Sequence, residues 1–352
     1  MSSNQNKSIV KKINWNIPKN WLKIKTIDAH TAGEPLRIIF EGTPEIKGET
    51  ILEKRKYVKE NLDHLRTALM FEPRGHADMY GAIITEPEKK DSDFGVLFLH
   101  NEGYSTMCGH GIIALTKVAV QTGMIEPKEP ITEIKFDTPA GLVTSFANVR
   151  DGEVESVYFH NVPSFVLTTD LEFEVVGIGK VNFDIAFGGA FYAFVNADEL
   201  GIGMKEKNFR ELIKKGMAIK KAVMRSFPIK HPFQKELNFL YGTIFYGKSH
   251  SQEADSRNVC VFAEGEVDRS PTGTGVSARM ALLYSKGEIA LNNKMIIESI
   301  IGTTFTGCVH QVTKLGEYEA VIPQVEGNAF ITGQHEFLID PEDPLKEGFI
   351  LR

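Results

Sequence analysis

Apolar residues along this chain fall mostly in short runs, bounded by glycine, proline and charged residues. Such runs predict β-strands, among them Leu36–Phe40, Phe94–Leu99, Asn238–Tyr246 and Asn258–Ala263. Two longer stretches, Thr50–Leu69 and Glu206–Met224, set Ile, Leu and Val at helical spacing among charges and predict helices. Two further helices stand out. One starts at Cys108-Gly-His-Gly and ends at Gly123, and the other starts at Thr272-Gly-Thr-Gly and ends at Gly287. Aligned on Cys108 and Thr272, they match Gly109 with Gly273, Gly111 with Gly275, Ala114 with Ala278 and Gly123 with Gly287. Each runs on to an isoleucine, Ile125 and Ile289. Each has a reactive or small polar residue in front, glycines where backbone must come close, an apolar body and a glycine stop. A repeat at nearly half the chain length predicts two similar domains, each with a central helix gripped by strands.

Length and charge narrow the picture. A chain of 352 residues fits two domains better than one core. With 40 basic against 46 acidic residues it has no positive field to hold nucleic acid or an anionic membrane. The basic run Lys214–Lys221 reads as a solvated helix face. No apolar run is long enough to span a membrane, and the start lacks a secretion signal. Residues 1–21 read as a polar N-terminal extension, and a cytoplasmic protein is expected. Three cysteines make neither a disulfide framework nor a metal-binding spacing, so at least one must be free.

The helix starts carry the candidate chemistry. A helix N-terminus offers free N–H groups and the positive end of a dipole, and it binds an anion such as a carboxylate without arginine. The glycines at 109, 111, 273 and 275 leave room for a ligand against the backbone. An ordinary thiol has a pKa of about 8.5, and a helix start lowers it, so Cys108 is a candidate general base. Cys260, among strand residues, and Cys308 read as packing. His110 is placed to bind the ligand, protonate a leaving group or merely cap. Asp268 is placed to hold a substrate ammonium or to brace its loop. Thr272 occupies the position equivalent to Cys108, but a hydroxyl is a far weaker acid and nothing adjacent activates it. The site therefore has one proton-transfer thiol and one neutral partner.

The stretches Asp28-Ala-His-Thr-Ala-Gly-Glu-Pro35, Pro73-Arg-Gly-His-Ala-Asp-Met79, Met107-Cys-Gly-His110, Ala254-Asp-Ser-Arg-Asn-Val259, Asp268-Arg-Ser-Pro-Thr-Gly-Thr-Gly275 and Ile331-Thr-Gly resemble the proline racemase family. The likeness runs from about residue 22 to residue 352. It implies an α/β, diaminopimelate-epimerase-like fold. Two pseudo-symmetric domains each wrap a β-sheet or barrel around a central helix, with the active site in the cleft between them. The expected division is 22–160 completed by 325–352, and 161–324. The resemblance also implies no cofactor and no metal, a small cyclic amino acid as substrate, and a homodimer. Cys108 would be the acid/base. The backbone of Gly109, His110, Gly273 and Thr274 would hold the substrate carboxylate, with Asp268 and His110 near the ring nitrogen. Racemases and 4-hydroxyproline epimerases of the family carry a second cysteine where this chain has Thr272. The Cys/Thr pair is similar to that of the family's trans-3-hydroxy-L-proline dehydratases. Gly111 and Ala190 stand where many members have Asn, which is expected to alter the pocket wall.

One thiol suits dehydration. Racemisation by two bases needs a proton taken on one face and given on the other, and Thr272 is a poor donor. In trans-3-hydroxy-L-proline the α-hydrogen and the 3-hydroxyl both lie opposite the carboxylate, hence on one face. A group there can take the proton, and the same or a neighbouring group can protonate the departing hydroxyl. The expected product is Δ1-pyrroline-2-carboxylate. The rival readings are a racemase or 2-epimerase, and a solute-binding module that closes on proline-like ligands without turning them over.

Overall fold

The computed structural model describes residues 15–351; the greater part of the expected N-terminal extension lies outside the described residues. The first group of elements is β1 (Leu22–Thr31), β2 (Glu34–Glu41), α1 (Ile51–Asn61), α2 (Asp63–Met70), β3 (Tyr80–Thr85), β4 (Phe94–His100), β5 (Gly103–Tyr104), α3 (Gly109–Gln121), β6 (Ile131–Thr138), β7 (Gly141–Arg150) and β8 (Glu153–His160). There follow β9 (Ser164–Val175), β10 (Gly179–Phe187), β11 (Phe191–Asn196), α4 (Phe209–Ser226), β12 (Leu240–Gly247), β13 (Ser256–Phe262), β14 (Glu266–Val267), α5 (Gly273–Ser285), β15 (Met295–Glu298), β16 (Thr304–Leu315), β17 (Tyr318–Gly327) and β18 (Ala329–Ile339).

The strand pairings repeat. Antiparallel β1–β2, parallel β2–β3, antiparallel β3–β4 and parallel β4–β6 recur as β10–β11, β11–β12, β12–β13 and β13–β15. In each half the central helix follows the short strand β5 or β14, so the likeness seen around Cys108 and Thr272 extends to the whole topology. The second set closes on itself: β9, β10, β11, β12, β13, β15, β16 and β17 form a barrel, with β17 returning to β9. The first set runs β18-β1-β2-β3-β4-β6-β7-β8, and β8 pairs with β17. β17 thus bonds to strands of both sets, with Ala320–Val321 on β9 and Gln324–Gly327 on β8.

Sequence explains why α3 and α5 sit at the centres. Both are apolar on nearly every face, and such a helix is stable only when surrounded. Every residue of α3 from Gly109 to Val120 is buried, as is α5 from Gly273 to Leu282. Each helix ends on a left-handed glycine, Gly123 at φ 75° and Gly287 at φ 71°. The other helices lie outside the strands. Thr50 caps α1 with a reciprocal bond to Glu53, as its sequence invites. The single helix expected over Thr50–Leu69 is broken at Leu62, which leaves helical geometry at φ −127° and ψ 15°. The break turns the apolar face of α2 inward, burying Leu65, Leu69 and Met70. The basic run of α4 is not wholly a solvated face, since Lys220 is buried with its ammonium on the Ala263 carbonyl. Among the described residues, no helix is long and apolar enough to cross a membrane.

Candidate active site

The starts of α3 and α5 meet. A methyl group on Gly109 would lie 2.6 Å from the Cα of Gly273, and one on Gly273 would lie 2.7 Å from the Cα of Gly109. Real Cβ atoms do not approach backbone so closely, so these two positions demand glycine. The contact leaves two N-terminal helix turns side by side, with N–H groups that have no partner in their own helices. We expect Gly109→Ala to lower kcat/KM roughly 10- to 100-fold, because the helix starts must move apart by about an ångström. A substrate titration checks this, with the thermal transition reporting whether the fold is kept.

The structure brings the residues expected to act on or hold the substrate to one cavity. Its wall contains Cys108, Gly109, His110, Asp268, Thr272, Gly273 and Thr274. It also contains residues not anticipated: Tyr80, Met107, Tyr192, Tyr241 and Phe262. Of these, Tyr80 directly follows the Pro73–Met79 motif, Met107 opens the Cys108 motif and Tyr192 closes the stretch Gly188–Tyr192 around Ala190, so those three had a local signal. Gly111 and Ala190, expected in the wall, are buried outside it. A side chain at Gly111 would instead press on Phe98 and the Cys108 sulfur. The cavity holds about 20 Å³, room for one water molecule and too little for a proline-sized ring. Admitting such a ring would need these walls to move apart.

Cys108 is the N-cap of α3, and its Sγ accepts the Gly111 N–H at 3.2 Å. The His110 ring lies against it, with Nδ1 at 3.2 Å from Sγ. The expectation that the helix start lowers this thiol is not met, because burial outweighs it. Burial pushes Cys108 well above its ordinary value and outweighs the Gly111 N–H, while the carboxylates of Asp268 and Glu34 add to the rise. Burial likewise holds the His110 imidazole below its usual range, against the opposing pull of Asp268 and of a bond to the Pro35 carbonyl. Sulfur and imidazole are therefore both neutral at neutral pH. One ring nitrogen can donate to the Pro35 carbonyl while Nδ1 accepts from the thiol.

Opposite stands Thr272, the N-cap of α5, in an unusual conformation at φ 67° and ψ 94°. A β-branched residue rarely adopts positive φ, and the strain is of order 1–3 kcal/mol. Bonds on both sides hold it. Its N–H donates to Ser270 Oγ at 3.1 Å, and its hydroxyl donates to Asp268 Oδ2 at 2.8 Å. The other Asp268 oxygen accepts the Ser270 N–H at 2.8 Å. Asp268 thus braces its loop, the second of the two roles open from the sequence, and it also faces the cavity. Cys260 and Cys308 are buried in the strands, in keeping with packing.

A second layer ties the loop of α5 to the other half. Glu34, fully buried, accepts the Arg269 N–H at 2.8 Å through Oε2, and its Oε1 has no hydrogen-bond partner. The Arg269 guanidinium reaches Glu34 at 3.5 Å and Asp78 at 3.6 Å. Burial, then the nearby Asp268 carboxylate, pushes Glu34 well above the usual carboxylate range. Glu34 lies inside the Asp28–Pro35 motif but was not singled out, because its partner is more than two hundred residues away.

Comparison with known proteins places this geometry. The proline racemase family profile matches residues 26–350. The chain belongs to the proline racemase family. Within that family it is 50% identical to a trans-3-hydroxy-L-proline dehydratase of Colwellia psychrerythraea, over 95% of this chain and 94% of that one. It is 46% identical to a proline racemase of Acetoanaerobium sticklandii, over 93% and 98% of the two chains. A solved hydroxyproline epimerase from Agrobacterium vitis, with bound trans-4-OH-L-proline, superposes with a TM-score of 0.89 at 31% identity, covering 94% of this chain and 96% of that one. The diaminopimelate-epimerase-like α/β fold expected for the family is the fold observed.

Proposed function

We propose that this protein dehydrates trans-3-hydroxy-L-proline to Δ1-pyrroline-2-carboxylate and water, with no cofactor. The observation that carries the reading is the asymmetry across the cavity. A thiol paired with an imidazole stands on one side, and on the other is a threonine hydroxyl already committed to Asp268. Such a site has one thiol, at the start of α3, and none at the start of α5. The likeness to a relative named for this reaction supports the same choice.

In the proposed cycle the substrate carboxylate lies on the N–H groups of Gly109, His110, Gly273 and Thr274. Its ring nitrogen lies toward Asp268. The Cys108 proton passes to His110 Nδ1. An ion pair at this separation recovers about 4–5 kcal/mol at an effective dielectric of 20, which opposes the cost of charging two buried groups. The thiolate then takes the α-proton, and the charge that develops toward the carboxylate is met by the helix N–H groups. The C–H electrons form the C2=C3 bond and the C3–O bond breaks. The imidazolium protonates the leaving hydroxyl, and water departs. Sulfur has regained a proton and His110 has lost one, so the neutral pair is restored. The enamine product tautomerises to the pyrroline.

The test is a panel of proline and its 3- and 4-hydroxy isomers, assayed for pyrroline with o-aminobenzaldehyde and for inverted amino acid. Pyrroline from the trans-3 isomer supports the proposal. Inverted amino acid without pyrroline would reject it in favour of a racemase or epimerase. Binding without either product would favour a solute-binding module.

His110 has its own expected result. In His110→Asn, dehydration falls by roughly a hundredfold, the usual worth of a general acid. α-Proton exchange, read by NMR in deuterated water, falls with it, because His110 also takes the proton that frees the Cys108 thiolate. Undiminished exchange with elimination lost would confine His110 to protonating the leaving hydroxyl.

The division into 22–160 with 325–352 and 161–324 is likewise a proposal, as are a cytoplasmic location and a homodimer. Sedimentation equilibrium tests the dimer.

A further inference from the structure

A second cavity, of about 310 Å³, lies beside the one that holds Cys108. It is of the size that binds small molecules. Its walls come from both halves: Arg55 and Lys59 on α1, His100 at the end of β4, Lys220 on α4, and Phe239 and Tyr241 at the start of β12. Tyr241 also lines the Cys108 cavity, so the two spaces share that side chain in their walls.

The partition is built in two parts. Tyr80 stacks on His100 at 5.6 Å, both from the first half. Tyr241 stacks on Phe262 at 5.3 Å, both from the second. The polar contact recorded between these stacks is Tyr80 Oη to Tyr241 Oη at 3.4 Å, long for two hydroxyls. Ring contacts also cross between the stacks, Tyr80 with Phe262 at 6.3 Å, His100 with Tyr241 at 6.1 Å and His100 with Phe262 at 6.0 Å, and parting the halves would break these together with the tyrosine contact and join the two cavities.

The chemistry of the larger cavity suits a zwitterion. Arg55 is half-buried in the wall and donates through Nη2 to the Tyr104 carbonyl, and among the described residues no hydrogen bond engages its Nη1. An unpaired guanidinium N–H is a strong donor for a carboxylate. Lys59 is exposed at the rim, and the exposed Glu264 also lines the cavity, a counter-charge for an ammonium.

We propose that this cavity is an access subsite for the zwitterionic amino acid. Arg55 holds the carboxylate there, and the Tyr80–His100 and Tyr241–Phe262 stacks form the gate to Cys108. The inference rests on the reading of this protein as an enzyme acting on a cyclic amino acid. Arg55 touches neither the reacting atoms nor Cys108, so its role is positioning.

Two variants test it, against wild type assayed on trans-3-hydroxy-L-proline. Arg55→Ala is expected to lower kcat/KM roughly tenfold with kcat kept within about twofold. A purely structural role for Arg55 would lower kcat and the melting temperature together, without that split. Lys59→Cys, at an exposed helix position on the rim, is compared with itself before and after a bulky thiosulfonate is attached to it. Turnover then falls at least tenfold, and dithiothreitol restores it. Wild type given the same reagent is the control for reaction at Cys108. If Arg55→Ala keeps wild-type kcat/KM and modification leaves that of Lys59→Cys unchanged, the subsite is wrong although the dehydratase reading stands. If wild type makes no pyrroline, the dehydratase reading itself has failed.

Discussion

Replacing Cys108 with serine should reduce dehydration by roughly a thousandfold or more while leaving ligand binding within reach of measurement. The size follows from the acidities. The serine hydroxyl is a much weaker acid than the thiol, so His110 cannot ionise it, and a general base contributes about 10²–10⁴-fold. The substitution is gentle on the fold. Cys108 caps α3 by accepting the Gly111 N–H, and serine is a preferred N-cap residue. The N–H groups assigned to the substrate carboxylate are backbone and remain in place. Loss of turnover with retained binding, seen by calorimetry with trans-3-hydroxy-L-proline, thus isolates the chemical step. Unchanged turnover would remove Cys108 from the mechanism. In wild type, burial raises the thiol and lowers the imidazole, so it opposes the charge separation that proton transfer from one to the other creates.

That last point marks where the sequence stops being informative. The features of α3 and α5 that matter are local: glycine at the start, an unbroken apolar body and a glycine stop, all set by neighbours in the chain. Their likeness was enough to place Cys108 and Thr272 at equivalent helix ends. The direction of the Cys108 shift was read wrongly because it depends on burial, and burial comes from two halves closing on each other. Tyr241 and Phe262 were invisible for the same reason. They look like ordinary strand residues, and only the meeting of β12 and β13 with β3 and β4 turns them into a wall. Lys220 misled because its helix face is covered by the loop at Ala263, a contact across 43 positions. The conformation of Thr272 was hidden too, since threonine is a residue that nobody would choose for positive φ.

The conformation of Thr272 sharpens the second large expectation, that Thr272→Cys gains α-proton exchange and inversion. Cysteine is unbranched at Cβ, so it fits φ 67° with less strain than threonine, and the variant should fold at least as well. Its sulfur would replace the hydroxyl at the start of α5, across the cavity from Cys108. It would also weaken the bond that now ties residue 272 to Asp268, because a thiol is a poor donor. The far face of the ring would then have a group able to exchange a proton. Proline or trans-4-hydroxy-L-proline, neither of which has a 3-hydroxyl to lose, should show deuterium at the α-carbon and the opposite configuration, at least tenfold above wild type. Dehydration of the trans-3 isomer should fall, since protonation from the new side competes with elimination. Exchange without inversion would mean that Cys108 alone does the work and residue 272 cannot reach the carbon. No exchange at all would overturn the argument that one missing thiol separates the two activities.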